Sequence, residues 1–417
     1  MFHSIVAHGD ETTVVSFEIE IEKLVYGGQG LGRSNGRVVL APFVLPGERA
    51  IVEAEKESAG LIAARTLAVE AGSEWRVPPA CPHFAICGGC HYQHMSYERQ
   101  LEAKRGILLE TLARLGKIEW SEPVEILSAE PWGYRNRVQL RLSKRRGRLE
   151  LGYFEFGSHR LRPIDACPIS SPTINRTIAA LARMGLDRRF PDFIQEIELF
   201  TNERDVQLNV LETTRPLARR FFDWCAGEIE GVCRGDSLDY AAGADVYRVS
   251  SRSFFQVNRF LAARLAEAAV GSAGGGTAID LFAGVGLFSL SLGRRFSRTV
   301  AADSNRSACR DLECNAQRAG VAVEAHQASA ESFLTGFDEA ADFVLADPPR
   351  AGLGRAVTAS LARLKPRRLT IVSCDPATLA RDLRALLEAT FQIISVKLVD
   401  LFPQTYHIES VVELAAP

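Results

Sequence analysis

The chain has 417 residues, with 49 Lys and Arg against 51 Asp and Glu and a formal net charge of −2. That length divides into two or three domains, each able to bury its own core, and a near-neutral balance does not by itself mark a nucleic-acid binder. No run of about 18 apolar residues is present, which excludes a membrane-spanning helix. Nine cysteines, sparse and odd in number, argue against a disulfide scaffold and for the reducing cytoplasm.

The opening MFHSIVAHGDETTVVSFE lacks the charged and apolar regions of a secretory signal. Residues 14 to 69 then read as short strands with glycine turns: VSFEIEIEKL alternates apolar and polar, YGGQGLGRSNG turns, and RVVLAPFVLPGERAIVEAEKES resumes strand character. A five-stranded barrel of the oligonucleotide-binding type is expected, an architecture that does not fix function. The linker EAGSEWRVPPA leads to CPHFAICGGC. There Cys81, Cys87 and Cys90 stand among glycines rather than packed apolar residues, which reads as a binding site. SYERQLEAKRGILLETLARLG follows as a helix, with Leu101, Leu108, Leu112 and Leu115 on one face and Gly116 as its cap.

Between Gly133 and Pro163 nine cations (Arg135, Arg137, Arg141, Lys144, Arg145, Arg146, Arg148, Arg160 and Arg162) face only Glu150 and Glu155. A charge run alone reads as a solvated hairpin. Here Trp132, Tyr134, Tyr153, Phe154 and Phe156 interleave, and cations for phosphates plus flat faces for stacking suit single-stranded RNA. Residues 123 to 245 read as mixed and mainly strand.

From about residue 250, TAIDLF, RTVAAD, DFVLAD, RLTIVS, QIISVKLVDL and HIESVVEL read as strands with helical segments between most of them. This alternation predicts a doubly wound α/β sheet. No internal repeat or low-complexity segment is apparent. AIDLFAGVGLFSL sets a strand, Asp280, a glycine loop (Gly284, Gly286) and a helix in succession, the arrangement of a nucleotide-type cofactor site. Helix–strand packing alone also explains such glycines. Asp303 ends the next strand, placed to accept from ribose hydroxyls. The loop lacks the third glycine of the dinucleotide fingerprint, so an adenosine cofactor without a pyrophosphate, such as S-adenosylmethionine, fits better than NAD.

Three reactive residues belong to this domain. Asp347 ends a strand in ADPPRAGLG, where two prolines stiffen the turn. Cys374, in VSCDPATLARDL, reads either as a small buried hydrophobe or as an accessible thiol whose pKa a helix N-terminus depresses from about 8.5. HIESVVEL places His407 and Glu409 on one strand face, and a carboxylate inside such a strand needs either a partner or a task. Methylation at C5 of a pyrimidine requires such a set, because C5 is too weak a nucleophile until a thiolate adds at C6. A base must then remove the C5 proton. Cys374 takes the role of nucleophile, Glu409 that of general base, and Asp347 orients the base or the cofactor. A base buried in folded RNA must be flipped out to reach them.

On these motifs, and on SRSFFQVN upstream, the chain resembles the uracil-C5 RNA methyltransferase family, almost throughout its length. The resemblance implies a Rossmann-like methyltransferase domain over 251–417, an RNA-binding TRAM barrel over 1–70, and a mainly β central domain over 75–250. It implies that Gln256, Phe282, Asp303 and Asp347 contact S-adenosylmethionine beside Gly284, with Ser329 where an amide or acid often meets adenine. Leu287 and Asp303 stand where some members carry asparagine and glutamate. The cysteine spacing lacks the paired C-x-x-C arrangement of structural zinc and calls for a distant fourth ligand, for which Cys167 in DACPIS is the best candidate. Cys225 and Cys233 read as core residues. Members with this spacing hold a [4Fe–4S] cluster; zinc is the alternative. The expected partner is RNA, ribosomal in preference to transfer RNA, with a monomer sufficient. Two other readings are methylation of an exocyclic amine, which needs no Cys374 adduct, and a non-catalytic RNA-binding protein.

Overall fold

Alternation in SFEIEIEKLV makes β1 (Ser16–Val25) a half-buried strand, and Ile19 and Ile21 enter a core with Val39, Ala41, Val52 and Ile62. With β2 (Gln29–Ser34), β3 (Arg37–Pro42), β4 (Arg49–Ser58) and β5 (Leu61–Ala71) it closes a barrel in the order β1-β2-β3-β5-β4. The computed structural model describes residues 16–145, 147–233 and 235–416. The opening segment through Val15 and Arg146 of the basic stretch therefore lie outside the described residues. The chain forms two compact units. The first holds residues up to Ile107 with Phe154–His159 and Pro403–His407, and the second holds the remainder.

The helix α1 (Tyr97–Thr111) ends in a π turn, Leu112–Gly116. The left-handed residue that closes it is Lys117 (φ 58°), not the expected Gly116, and Leu115 is exposed rather than on the buried face. The wider π turn rotates Leu115 off the stripe that Leu108 and Leu112 bury.

In the second unit β6 (Glu125–Leu127) is followed by a five-stranded sheet ordered β11-β10-β7-β8-β9. Its strands are β7 (Arg137–Arg145), β8 (Arg148–Phe154), β9 (Leu161–Pro163), β10 (Ile194–Thr201) and β11 (Val206–Thr213). Helices α2 (Pro172–Met184) and α3 (Arg219–Glu228) share its core through Ile174, Ile178, Leu181, Phe221 and Cys225. A hairpin, β12 (Ser237–Ala242) and β13 (Asp245–Ser250), leads to α4 (Ala262–Val270).

The C-terminal sheet has eight strands in the order β16-β15-β14-β17-β18-β20-β19-β6. In chain order its parts are β14 (Gly275–Leu281), α5 (Ser289–Gly293), β15 (Phe296–Asp303), α6 (Arg306–Ala319), β16 (Glu324–Gln327) and α7 (Ala330–Thr335). They continue with β17 (Phe343–Ala346), α8 (Gly354–Leu364), β18 (Arg368–Ser373), α9 (Pro376–Glu388), β19 (Gln392–Val399) and β20 (Glu409–Ala415). Strands β14 to β18 run parallel, while β20 is antiparallel to both neighbours, so the expected Rossmann-like sheet is present. The short polar strand β16 was not foreseen. The last strand begins at Glu409, so His407 does not share a strand face with it.

Candidate active site

Strand register decides which side chains meet at the carboxyl edge of the sheet. Leu281 pairs with both Ala302 and Ala346, so Phe282, Asp303 and Asp347 are the next residues out on three adjacent strands. Ser373 pairs with Ser410 in the antiparallel direction, which sets Cys374, after β18, opposite Glu409 at the start of β20. Neighbouring strands lie about 4.8 Å apart, so Asp347, Cys374 and Glu409 follow one another along one rim.

The turn after β14 is shaped for a ligand. Phe282 has φ 61° and Gly284 φ 54°, and nothing lies within 4 Å of where a Cβ on Gly284 would stand. The backbone is therefore bare toward open space, a cradle into which an adenosine cofactor fits. Asp303 holds the turn: its carboxylate accepts from the N–H of Gly284 (2.8 Å) and of Asn305 (2.7 Å). Ser329 is exposed and caps α7, its Oγ accepting from Ser332 N–H at 3.1 Å. Gln256 is buried on the segment after β13, where its carbonyl accepts from Asn136 Nδ2 at 3.2 Å. Asp311 fixes that segment through Ser253 Oγ at 2.6 Å.

Three carboxyls crowd this rim. Burial pushes Asp280 up to about 7, helped by the charges of Asp347 and Asp303 and opposed by the Ser289 hydroxyl that donates to it. Burial also raises Asp347. Glu409 is raised well above the usual carboxylate range, first by burial and then by Asp347, while Arg350 pulls it down. Arg350, whose charge acts on both Glu409 and Cys374, was missed in the sequence; its signal was a cation three positions after Asp347 in the same turn.

For Cys374 the expected depression of the thiol is reversed. Burial pushes it up to about 12, with Glu409 and Asp347 adding to the shift and Arg350 opposing it. The helix end that was to stabilise a thiolate is already taken. Asp375 caps α9, its carboxylate accepting from Ala377 N–H (3.0 Å) and Thr378 N–H (2.9 Å). Cys374 is therefore a thiol near neutral pH.

The turn carrying Asp347 and Arg350 is braced by α9. Asp382 Oδ2 accepts from Leu353 N–H at 2.7 Å, and Arg381 Nη2 donates to the Ala351 carbonyl at 2.8 Å.

The basic segment is less a surface than its sequence suggests. Arg137 is buried, donates to the Ser253 carbonyl at 3.0 Å and stacks 4.3 Å over Phe200. Arg135 donates to the Arg137 carbonyl, Arg141 pairs with Glu196 and Glu212, and Lys144 donates to the Asp187 and Phe190 carbonyls. Tyr134 is fully buried. Arg148, Arg160 and Phe156 remain exposed.

The four cysteines lie in different units: Cys81, Cys87 and Cys90 in the first, Cys167 in the second. Among the described residues no group of three or more His, Cys, Asp or Glu side chains is gathered as a metal site. What the cysteine segments offer is soft thiol donors on pinned backbone, the donor chemistry of an iron–sulfur cluster. Cys81 N–H donates to Gln93 Oε1 (3.0 Å), Cys87 N–H to the His83 carbonyl (2.8 Å), and Cys167 N–H to Asn175 Oδ1 (2.8 Å). Cys225 is fully buried in α3, as expected of a core residue.

Comparison with known proteins identifies the family. Residues 235–416 match the family described as tRNA (Uracil-5-)-methyltransferase. An uncharacterized RNA methyltransferase of Aquifex aeolicus is 33% identical over 94% of this chain and 97% of its own length. The 23S rRNA (uracil(1939)-C(5))-methyltransferase RlmD of Alkalilimnicola ehrlichii is 30% identical over 94% of this chain and 95% of its own. The crystal structure of Pyrococcus abyssi tRNA (uracil-54, C5)-methyltransferase in complex with S-adenosyl-L-homocysteine shares the fold, with a TM-score of 0.74 at 24% identity over 95% of this chain and 100% of that one. By its extent of likeness to these relatives, the chain belongs to the RNA uracil-5-methyltransferase family.

Proposed function

We propose that this protein methylates C5 of a uridine in 23S ribosomal RNA through a covalent adduct on Cys374. The observation that carries the reading is the alignment of Asp347, Cys374 and Glu409 along one sheet rim, next to the bare turn at Gly284. S-adenosylmethionine supplies an electrophilic methyl group there, held by Gln256, Phe282, Asp303 and Asp347. Cys374 gives its thiol proton to solvent, its sulfur bonds to C6 of the uracil, and the C5–C6 π pair moves onto the ring carbonyl as an enolate. C5 then takes the methyl group, and the electron pair of the broken methyl–sulfur bond stays on the donor's sulfur. Glu409 accepts the C5 proton, the C5–C6 double bond reforms, and the thiolate leaves. Burial raises the proton affinity of Glu409, which suits proton acceptance once its carboxyl is ionised, the form that Arg350 favours. Arg350 is the cation that favours the thiolate.

The activity named for the Alkalilimnicola ehrlichii relative supports ribosomal RNA over transfer RNA. The barrel of β1–β5 serves as a TRAM-type RNA-binding module, and Cys81, Cys87, Cys90 and Cys167 hold a [4Fe–4S] cluster. Thiolate donors suit that cluster and zinc alike, the family resemblance favours the cluster, and iron and sulfide analysis of anaerobically purified protein separates the two. The protein is to be incubated with tritiated S-adenosylmethionine and unmodified ribosomal or transfer RNA, and the product digested to nucleosides. Label in 5-methyluridine from ribosomal RNA is the expected result; label only from transfer RNA reassigns the substrate, and no label in either pool removes the reading.

A further inference from the structure

A cavity of about 980 Å³ lies beside the central sheet and shares no residue with the rim of Asp347, Cys374 and Glu409. Its walls are the end of β7 at Lys144, the loop from α2 to β10 (residues 188–193), and the approach to α3 with its first turns (residues 216–224). All of them belong to the second unit. A repeated triplet brings these walls together. Arg188-Arg189-Phe190 and Arg219-Arg220-Phe221 sit in different segments, and their two buried phenylalanine rings meet edge to face at 5.6 Å. That contact sets Arg188, Arg189 and Arg220 around one cavity.

The three arginines differ in what holds them. Arg189 is fixed: its Nε and Nη2 donate to Asp187 Oδ2 at 3.0 and 2.7 Å, and its guanidinium carbon lies 4.7 Å from the centre of the Trp224 ring. Its side chain is nevertheless 67% exposed, so the guanidinium face turned away from Trp224 is open. Arg188 and Arg220 are exposed and have neither an ion-pair nor a hydrogen-bond partner among the described residues. Lys144, which donates to the Asp187 and Phe190 carbonyls, brings the lining to four cations against one acid, Asp192. In the basic segment Arg137 and Arg141 are taken up by other protein groups, whereas Arg188 and Arg220 stand free.

We infer that this cavity holds an unpaired nucleotide of the substrate RNA outside the reaction site, its base stacked on Arg189 and the flanking phosphates on Arg188 and Arg220. The inference rests on the protein acting on RNA. A lining rich in cations selects an anion, and a planar guanidinium already fixed on an indole selects a flat partner at little cost in ordering. Single-stranded RNA supplies both at the spacing of one nucleotide, phosphate beside base. An acidic protein segment supplies the charge without the ring.

Wild type, the double variant Arg188→Ala/Arg220→Ala, and Arg189→Ala are compared by filter binding to ribosomal and transfer RNA transcripts over a range of salt. Wild type is also cross-linked to 4-thiouridine-substituted RNA, and the linked peptides are mapped. Arg188 and Arg220 have no partner to lose, so the double variant keeps its fold and its melting temperature. The expected result is an affinity about tenfold lower in each variant. In the double variant the slope of log affinity against log salt flattens by about 1.4, the share of two phosphates on a single strand, and in Arg189→Ala, whose charge is already paired, it holds. Cross-links fall in residues 188–193 or 216–224. Wild-type affinity in both variants overturns the inference and leaves the cavity to an acidic protein segment or, where uridine monophosphate binds wild type but not the variants, to a free nucleotide. Lower affinity without a cross-link to either segment overturns it as well. Wild type that binds neither RNA removes the RNA reading itself, a different failure from variants that bind as wild type does.

Discussion

Ser373 and Ser410 face each other across β18 and β20, and Ser410 Oγ donates to the Ser373 carbonyl at 3.2 Å. This pair sets the distance between the thiol one residue after Ser373 and the carboxyl one residue before Ser410. Two strands that run in opposite directions thereby deliver a thiol and a carboxyl to the same place, from residues 35 apart in sequence. Replacing Cys374 by Ala should leave RNA binding near wild type and lower 5-methyluridine formation by at least about 10³-fold. Filter binding and the tritium assay measure the two; residual methylation within tenfold of wild type would show that no thiol adduct is needed.

The raised thiol has a direct chemical signature. A thiol pushed up to about 12 by burial, Glu409 and Asp347 is almost wholly protonated at pH 7, so alkylation by iodoacetamide should be slow there. The rate at Cys374 should climb about tenfold per pH unit through pH 9 without levelling off. Where Glu409 is ionised, Glu409→Gln removes a negative neighbour and should raise the rate, and Arg350→Ala should lower it. Mass spectrometry of the Cys374 peptide gives these rates, and a plateau below pH 9 would refute the assignment.

Asp347, Cys374 and Glu409 could be found in the sequence because each terminates or opens a strand beside a turn-forming motif, and strand ends converge by the rules of parallel sheets. The ionisation of Cys374 could not. It depends on Glu409 and Asp347 through space, and on Asp375 spending its carboxylate on the helix that was expected to favour the thiolate. The burial of Arg137 within the basic segment was hidden for a related reason. Arg137 looks like a surface cation until β7 pairs with β10 and lays it over Phe200. Strand β16, EAHQ, is too short and too polar to carry a period. The path of residues 403–407 depends on Gln100, some 300 positions away, which no local pattern encodes.

Gly352 tests how tightly the turn after Asp347 is braced. Its φ is 77°, and a Cβ there would press on Asp382 Oδ2 and lie 2.6 Å from Arg381 Nη2. These are the two side chains that hold Leu353 and Ala351. Gly352→Ala should cost about 1–3 kcal/mol through the left-handed backbone alone. It should also lower methyl transfer by shifting Arg350. Melting curves and the tritium assay report on both; unchanged values in each would mean that the turn relaxes freely.

Asp280 contributes a pH dependence of stability whose sign is fixed. Its carboxyl is held at about 7 instead of the ordinary 3.8, so the folded chain keeps a proton that the unfolded chain releases. A raised carboxyl contributes stability in full below the unfolded value and loses it as pH rises toward the folded one, here between about 4 and 7. Above that window the folded protein carries a buried charge, and the loss amounts to roughly 4 kcal/mol as an upper figure. Ser289 donates to one carboxyl oxygen, and the other has no hydrogen-bond partner to solvate its charge. Asp280→Asn keeps an acceptor for Ser289 and removes the charge. It should therefore melt higher than wild type at pH 8, and the gap should close as pH falls toward 4. A gap that stays constant from pH 4 to 8 would show that Asp280 is ionised throughout, and that the charge is stabilised by something other than the Ser289 hydroxyl.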